Sequence, residues 1–169
     1  AIELFDHMSA MMKIDQEPRT YLASRAIGSG IQNLLFADIR GPDDARDAVA
    51  AVRPETPDVG GHMGVGARRD VGYIVSPGTP EYVQSLMDGV VVLMIEKRST
   101  VEQLEEVLSV DGVDMVQFGP ADYSLNIGLP GQFTHPKVKE AEKYTIETAH
   151  RMGIPARAEI MDISEAGPY

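Results

Sequence analysis

The sequence contains no cysteine and no tryptophan. Without cysteine, disulfide bonds, thiolate metal sites and a cysteine nucleophile are all excluded. Basic residues are also scarce: 15 Lys and Arg stand against 26 Asp and Glu, and the formal net charge is −11. Nucleic acids and anionic membrane surfaces are polyanions, so this charge argues against both as partners.

The sequence also lacks the patterns of membrane and secreted proteins. No apolar run approaches the roughly 20 residues that a membrane helix needs. No basic stretch followed by an apolar one opens the chain, as a signal peptide would require. We therefore expect a protein of the cytoplasm.

Apolar and amphipathic stretches alternate along the 169 residues, of which 43% are hydrophobic. Strands that alternate with helices predict a parallel sheet, and this length suits one domain with a sizeable core. We therefore expect residues 1–169 to form a single α/β domain. The predicted strands are 31–39, 88–96, 113–119 and 154–160, the predicted helices are 1–13, 17–30, 41–53, 99–110, 135–153 and one that begins at Thr79-Pro80, and 54–78 is a predicted loop.

Two of the predicted strands each deliver a carboxylate at their end. Glu96 follows the apolar run Val90–Ile95, and Asp122 follows the next strand through the turn Gly119-Pro120-Ala121. Neighbouring parallel strands lie about 4.8 Å apart, and their carboxyl ends form the edge where α/β barrels place active sites. Two anions so close together need a shared proton or a cation. Oxygen ligands alone favour a hard ion such as Mg²⁺ or Mn²⁺.

The turn before Asp122 has features of an anion site. The backbone N–H groups of Ala121 and Asp122 begin a short helical segment and suit a small carboxylate, and Gly119 would let that anion approach the backbone. Simpler explanations stay open at this point. Asp122 could be only the N-cap of the segment, and Glu96 could be a solvated strand end that pairs with Lys97 or Arg98.

The chain resembles the class II, metal-dependent pyruvate aldolases of the HpcH/HpaI family, in the phosphoenolpyruvate/pyruvate TIM-barrel superfamily. The resemblance extends from about Ala23 to Arg151 and is most specific in the carboxylate pair together with the motifs VDGVD and GPAD. It implies that Glu96 and Asp122 bind the metal, and that the amides of Ala121 and Asp122 bind the carboxylate of pyruvate.

The resemblance also implies a fold, a cofactor and partners. The fold is a (β/α)₈ TIM barrel, of which four or five strand-helix units can be read. A complete barrel usually needs about 250 residues, so we expect this chain to lack part of it. The cofactor is Mg²⁺ or Mn²⁺, with Co²⁺ as a further candidate. The partners are small 2-oxo acids, aldehydes and further copies of the chain in a trimer or hexamer.

Several features depart from the family pattern. The family's general base is a His in an acidic D-x-E-H-like setting, whereas His7 lies in a helical pattern and reads as an ordinary helix residue. The family's substrate-binding Arg follows a strand in a motif like V-R-V-P, but residues 13–16 are predicted to run straight into the next helix with neither feature. Met94 stands where the family often has Gln. The catalytic residues therefore stay unassigned.

The resemblance implies an aldolase that cleaves or forms 4-hydroxy-2-oxo acids, with pyruvate as product or donor. One rival is a lyase of the same superfamily that acts on acyl-CoA thioesters, although the chain has no cluster of basic residues for the CoA phosphates. The other is a catalytically silent subunit that binds a metal or an oxo acid. Four further residues are weaker site candidates, with surface or loop positions as the alternative: Asp38, Arg40, His62 and Glu159.

Overall fold

The computed structural model describes residues 8–15, 17–65 and 78–160. Five strands and seven helices are found in this part of the chain. The strands are β1 (Met11–Ile14), β2 (Asn33–Phe36), β3 (Val91–Ile95), β4 (Met115–Phe118) and β5 (Ala156–Arg157). The helices are α1 (Arg19–Gly28), α2 (Pro42–Ala50), α3 (Pro80–Met87), α4 (Arg98–Glu102), α5 (Leu104–Leu108), α6 (Pro120–Asn126) and α7 (Pro136–Arg151).

The strands form one sheet in the order β1-β2-β3-β4-β5. β1 and β2 are parallel, with Met11 opposite Asn33, and β4 and β5 are parallel, with Val116 opposite Ala156. Sequential strand order with helices between the strands is the pattern of an α/β fold. The predicted fold class is therefore confirmed. No helix among the described residues combines the length and apolar character that a membrane span requires.

The chain divides into two compact units. The first unit comprises residues 1–36 and 46–92, and the second comprises 37–45 and 93–169. Each has its own buried apolar side chains, and a Val, Leu, Ile or Phe side chain contributes about 1.5–3 kcal/mol when it is fully removed from water. In the first unit these include Ala23, Ile27, Leu34, Phe36 and Val52, and in the second Leu93, Ile95, Leu104, Val116, Phe118 and Val138.

The predicted helix 1–13 is wrong where it can be compared. Met11–Ile14 is strand β1, paired with β2, and not the last turn of a helix. Residues 13–16 were likewise expected to lack a strand, and Lys13 and Ile14 belong to one. The first three residues of β1 are exposed, so the strand has no buried run that would signal it. His7 and the rest of 1–7 lie outside the described residues.

The predicted helix 99–110 is instead two short helices, α4 and α5, separated at Gln103. The spacing of Ser99 and Glu102 predicted a capping box, but the N-cap of α4 is Lys97, with no side-chain cap hydrogen bond. The predicted strand 154–160 is also longer than the two-residue β5. The predicted helix start at Thr79-Pro80 is confirmed as the start of α3, since the Thr79 hydroxyl accepts a hydrogen bond from the N–H of Tyr82.

A buried arginine satisfies the end of α3 in the first unit. The last carbonyls of a helix have no partner within the helix. Arg53 is 6% exposed, and its Nη1 donates to the carbonyl oxygens of Leu86, Met87 and Gly89 at 3.1, 3.0 and 2.7 Å. One side chain thus supplies hydrogen-bond donors to the backbone carbonyls between α3 and β3.

Arg53→Met should lower the free energy of unfolding by about 2–3 kcal/mol, because it leaves these buried carbonyls without a charged donor. Urea denaturation followed by circular dichroism would measure the loss. The matched control is Arg25→Met, which removes an exposed arginine of α1 and should change stability by no more than about 0.5 kcal/mol. Equal losses in the two variants would contradict this role for Arg53.

Candidate metal and substrate site

Glu96 is a buried carboxylate directly after β3. The strand is buried along its whole length, and Glu96 itself is 2% exposed. Its Oε1 accepts a hydrogen bond of 2.7 Å from the backbone N–H of Asp38. Taking an ionised carboxylate out of water is costly unless hydrogen bonds or a cation compensate. Its burial rules out the solvated strand end considered above.

The turn after β4 lies against this carboxylate. The N–H of Gly119 donates to the carbonyl of Ile95 at 3.0 Å, which joins the ends of β4 and β3. A Cβ at Gly119 would lie 2.9 Å from Glu96 Oε2 and 3.0 Å from Glu96 Cβ. Glycine is therefore required here by the approach of the Glu96 side chain. The sequence had suggested that a substrate anion would make this close approach.

α6 begins immediately beyond Gly119, with Pro120 at its first position and Asp122 in its first turn. The N-cap is Gly119, so the alternative of Asp122 as the N-cap is wrong. The first N–H groups of a helix have no partner within it, and this holds for Ala121 and Asp122. Ala121 is exposed and Asp122 partly exposed. The residues whose amides are predicted to bind substrate are thus exposed or partly exposed, at the turn that contacts Glu96.

Packing holds α6 in this place. Tyr123 is buried, and its ring packs against Phe118 of β4 with centroids 5.2 Å apart and planes inclined by 53°. The Ser124 hydroxyl donates to the carbonyl of Ala121 at 2.9 Å. At the far end of the helix, Asn126 Oδ1 accepts from the N–H of Arg98 at 2.9 Å. Both ends of α6 are therefore fixed within the second unit.

The two basic residues after Glu96 have carboxylate partners of their own. Lys97 Nζ lies 2.9 Å from Asp38 Oδ1, and Arg98 Nε lies 2.7 Å from Glu102 Oε1. Arg40 Nη2 donates to the second Asp38 oxygen at 2.9 Å. Burial raises the pKa of the Asp38 carboxyl, but Lys97 and Arg40 outweigh burial through hydrogen bonds and charge, and this pKa lies below its usual value.

Asp38 therefore lies in contact with Glu96, and it also forms the surface pair with Arg40 that the sequence left equally open. It is 7% exposed, and it is a non-glycine residue with a positive φ, at 57°. Sequence reasoning missed two further hydrogen bonds. The Thr100 hydroxyl donates to the carbonyl of Ile39, and the Asn126 side chain accepts from the N–H of Arg98. The one signal for Asp38 was an acid just after a buried strand, the same feature that marked Glu96.

The remaining site candidates are Glu159 and His62, and the contacts described for them are with residues other than Glu96. Glu159 Oε1 accepts from Nε2 of the buried Gln117 at 2.5 Å. His62 is an exposed loop residue of the first unit, with Nδ1 3.5 Å from the Thr20 hydroxyl.

Met94 is buried, and its Cε would lie 3.0 Å from a Cβ on Gly119. An apolar thioether thus borders the turn where the family often has an amide.

The donor chemistry of these residues suits a hard divalent ion. Residues 8–15, 17–65 and 78–160 contain no group of three or more His, Cys, Asp or Glu side chains that could hold a metal. Mg²⁺ is usually bound by one or two carboxylates, with substrate and water completing its shell. The pair Glu96 and Asp122 offers two carboxylates, and the glycine at 119 allows the turn before Asp122 to approach Glu96 Oε2 closely. The metal-binding and substrate-binding roles of these residues stay predictions.

Comparison with known proteins identifies the family. The family model for HpcH/HpaI aldolase/citrate lyase matches residues 5–164. The chain belongs to this family. The match is wider than the stretch from about Ala23 to Arg151 that carries the resemblance, and it includes β1.

Two relatives of this family member are named aldolases. The hydroxypyruvate/pyruvate aldolase of Sagittula stellata is 36% identical over 132 residues, which cover 78% of this chain and 50% of that protein. The 4-hydroxy-2-oxo-heptane-1,7-dioate aldolase of Salmonella arizonae is 37% identical over 113 residues, which cover 66% of this chain and 41% of that protein. The chain thus spans half or less of the length of these curated relatives.

Solved structures of the family share the fold. An HpcH/HpaI aldolase/citrate lyase family protein from Burkholderia cenocepacia superposes with a TM-score of 0.83 at 27% identity, covering 93% of this chain and 62% of that one. The HpcH/HpaI aldolase of Desulfitobacterium hafniense gives a TM-score of 0.79 at 29% identity, covering 95% and 61%. These neighbours have a TIM-barrel-like fold, of which this chain forms part.

Proposed function

We propose that this protein is a divalent-metal-dependent aldolase that cleaves or forms 4-hydroxy-2-oxo acids, with pyruvate as product or donor. The observation that carries the proposal is the buried Glu96 carboxylate in contact with Gly119, the residue from which the Ala121–Asp122 turn begins. Family membership supports the reaction class, since the two relatives described above are named as aldolases.

In this proposal Glu96 and Asp122 hold Mg²⁺ or Mn²⁺, with Co²⁺ as a further candidate. Both provide anionic oxygen, which is the donor that these hard ions prefer. The bound ion supplies Lewis-acid stabilisation for the negative charge that develops on the 2-oxo oxygen when the carbon–carbon bond is cleaved.

The backbone N–H groups of Ala121 and Asp122 orient the substrate by binding its carboxylate. They stand in the first turn of α6, where N–H groups lack helical partners, and Pro120 at the first position contributes no N–H of its own. The Phe118–Tyr123 packing holds this turn in place. Substrate orientation therefore depends on the backbone of α6, and ion binding on the carboxylates.

The proposal leaves the proton-transfer group unassigned. The family's His and Arg motifs were not found in the sequence, and His7, which stands in an Asp-His pair, lies outside the described residues. A homo-oligomer, as a trimer or hexamer, and a location in the cytoplasm also stay predictions. The acyl-CoA lyase and the silent subunit are not proposed, because no residue described above favours either over an aldolase.

The aldolase should lose its activity in EDTA and keep it in borohydride. Cleavage of 4-hydroxy-2-oxo-heptane-1,7-dioate can be followed by reducing the released pyruvate with lactate dehydrogenase. Metal removal should lower the rate at least about 100-fold, because Lewis-acid stabilisation is worth several kcal/mol and each 1.36 kcal/mol is a factor of ten. Added Mn²⁺ should restore the rate.

Borohydride with pyruvate inactivates aldolases that form a Schiff base on a lysine. Lys97 is the lysine beside Glu96 in the sequence, and its ammonium group is ion-paired with Asp38 at 2.9 Å. We therefore expect no inactivation by borohydride. Inactivation by borohydride, together with full activity in EDTA, would overturn the metal-dependent mechanism. A 3-hydroxyacyl-CoA thioester, tested in parallel, should not be cleaved to a shorter acyl-CoA and an oxo acid, which chromatography of the acyl-CoA products would detect.

A further inference from the structure

We propose that Asp38 is a positioning residue for Glu96: its backbone N–H orients the Glu96 carboxylate, and its side chain holds the Lys97 ammonium group away from that carboxylate. The inference rests on the proposed function, because it assigns to Asp38 the preparation of Glu96 for a divalent ion. All of these residues belong to the second unit.

The backbone of Asp38 is held in a conformation that L-residues avoid. Its φ is 57°, in the left-handed region, which costs most side chains about 1–2 kcal/mol and which Asp and Asn tolerate better than others. Such conformations persist where surrounding contacts impose them, and they cluster at functional sites. Here the N–H of the same residue donates to Glu96 Oε1 at 2.7 Å, across 58 positions of sequence.

That hydrogen bond leaves the two Glu96 oxygens in different surroundings. Oε1 is bound to the Asp38 N–H, and Oε2 is the atom that a Cβ on Gly119 would approach to 2.9 Å. Asp38 therefore helps to direct Oε2 toward the turn that carries Asp122. An orienting bond of this kind from outside the ligand set is a regular feature of protein metal sites.

The side chain of Asp38 controls the nearby positive charge. Its two oxygens bind Lys97 Nζ and Arg40 Nη2, each at 2.9 Å. The Lys97 side chain is 18% exposed and that of Arg40 is 65% exposed, so Lys97 is the cation shielded from water. With Asp38 ionised, the formal charges of Asp38, Glu96, Lys97 and Arg40 sum to zero. Without it, Lys97 would be the shielded cation beside Glu96 and would compete there with a divalent ion.

Asp38→Asn tests the charge, because Asn keeps the backbone N–H and tolerates a positive φ. Mn²⁺ binding, measured by calorimetry and by the electron paramagnetic resonance signal of the free ion, should weaken by about 10–100-fold, the usual effect of losing an orienting partner. In the Lys97→Met background, the Asp38→Asn change should cost no more than about twofold, the range expected of independent sites. Lys97→Met alone should bind Mn²⁺ as tightly as the wild type or more tightly.

Asp38→Ala tests the backbone, because Ala loses the charge and also disfavours a positive φ. It should bind Mn²⁺ more weakly than Asp38→Asn does, and Lys97→Met should not restore its affinity. A role confined to folding would instead lower the urea midpoint of every Asp38 variant and show no rescue by Lys97→Met.

The outcomes separate this inference from the proposed function. A wild-type protein that binds no Mn²⁺ overturns the proposed function and this inference together. Wild-type binding that is unchanged in Asp38→Asn, or that stays weakened in Asp38→Asn with Lys97→Met, overturns the inference alone. Rescue in the Asn background but not in the Ala background supports both parts of it.

Discussion

Glu96→Gln and Asp122→Asn should each weaken Mn²⁺ binding by at least about 100-fold, because each removes one of two anionic ligands from a hard ion that depends on carboxylate oxygens. Both substitutions preserve size. At position 96 the amide oxygen can still accept the hydrogen bond from the Asp38 N–H, which the structure gives as 2.7 Å. Titration calorimetry on the EDTA-treated protein would measure the affinity.

Thermal unfolding provides a second measurement of the same loss. An ion that binds only the folded chain raises its stability by RT ln(1 + [L]/Kd), so Mn²⁺ should raise the Tm of the wild type and not that of either variant. Without metal, Glu96→Gln should be as stable as the wild type or more so, since a buried amide costs less than a buried carboxylate. The control is Glu106→Gln, an exposed residue of α5. Undiminished Mn²⁺ affinity in both site variants would move the metal site elsewhere.

The sequence predicted best where local pattern and burial agree. β3 is an uninterrupted buried run, and Thr79 with Pro80 begins α3 through a cap that depends only on neighbouring residues. β1 was missed for the opposite reason. Met11 and Met12 are exposed, and β1 depends on its pairing with β2, which no local pattern encodes.

The site residues show the same contrast between features that a local pattern predicts and contacts between distant parts of the chain. Glu96 and Gly119 could be singled out because each directly follows a buried strand. The contact of Asp38 with Glu96 could not be predicted, since it joins residues 58 positions apart and depends on a positive φ at a residue other than glycine. The pairing of Lys97 with Asp38 was missed for the same reason. Sequence placed the acids at the strand ends, and only the structure distinguished the one that faces Gly119 from the one that neutralises Lys97.

Gly119→Ala should disrupt the site without removing any ligand atom. The added Cβ would lie 2.9 Å from Glu96 Oε2, 3.0 Å from Glu96 Cβ and 3.0 Å from Met94 Cε. The oxygen alone could rotate away, but the Cβ of Glu96 is fixed by the end of β3, so the turn and the strand must separate. Overpacking of this kind costs about 1–3 kcal/mol of stability.

The separation should also move Glu96 relative to Asp122, so we expect Gly119→Ala to weaken Mn²⁺ binding by about 10–100-fold although both carboxylates are present. The control is Gly28→Ala at the end of α1, where a Cβ would meet nothing within 4 Å. That change should leave Mn²⁺ affinity as it is and should hold or raise stability, because Ala favours a helix over Gly by about 1 kcal/mol. If Gly119→Ala bound Mn²⁺ as tightly as Gly28→Ala, the contact between the turn and Glu96 would have no part in shaping a metal site.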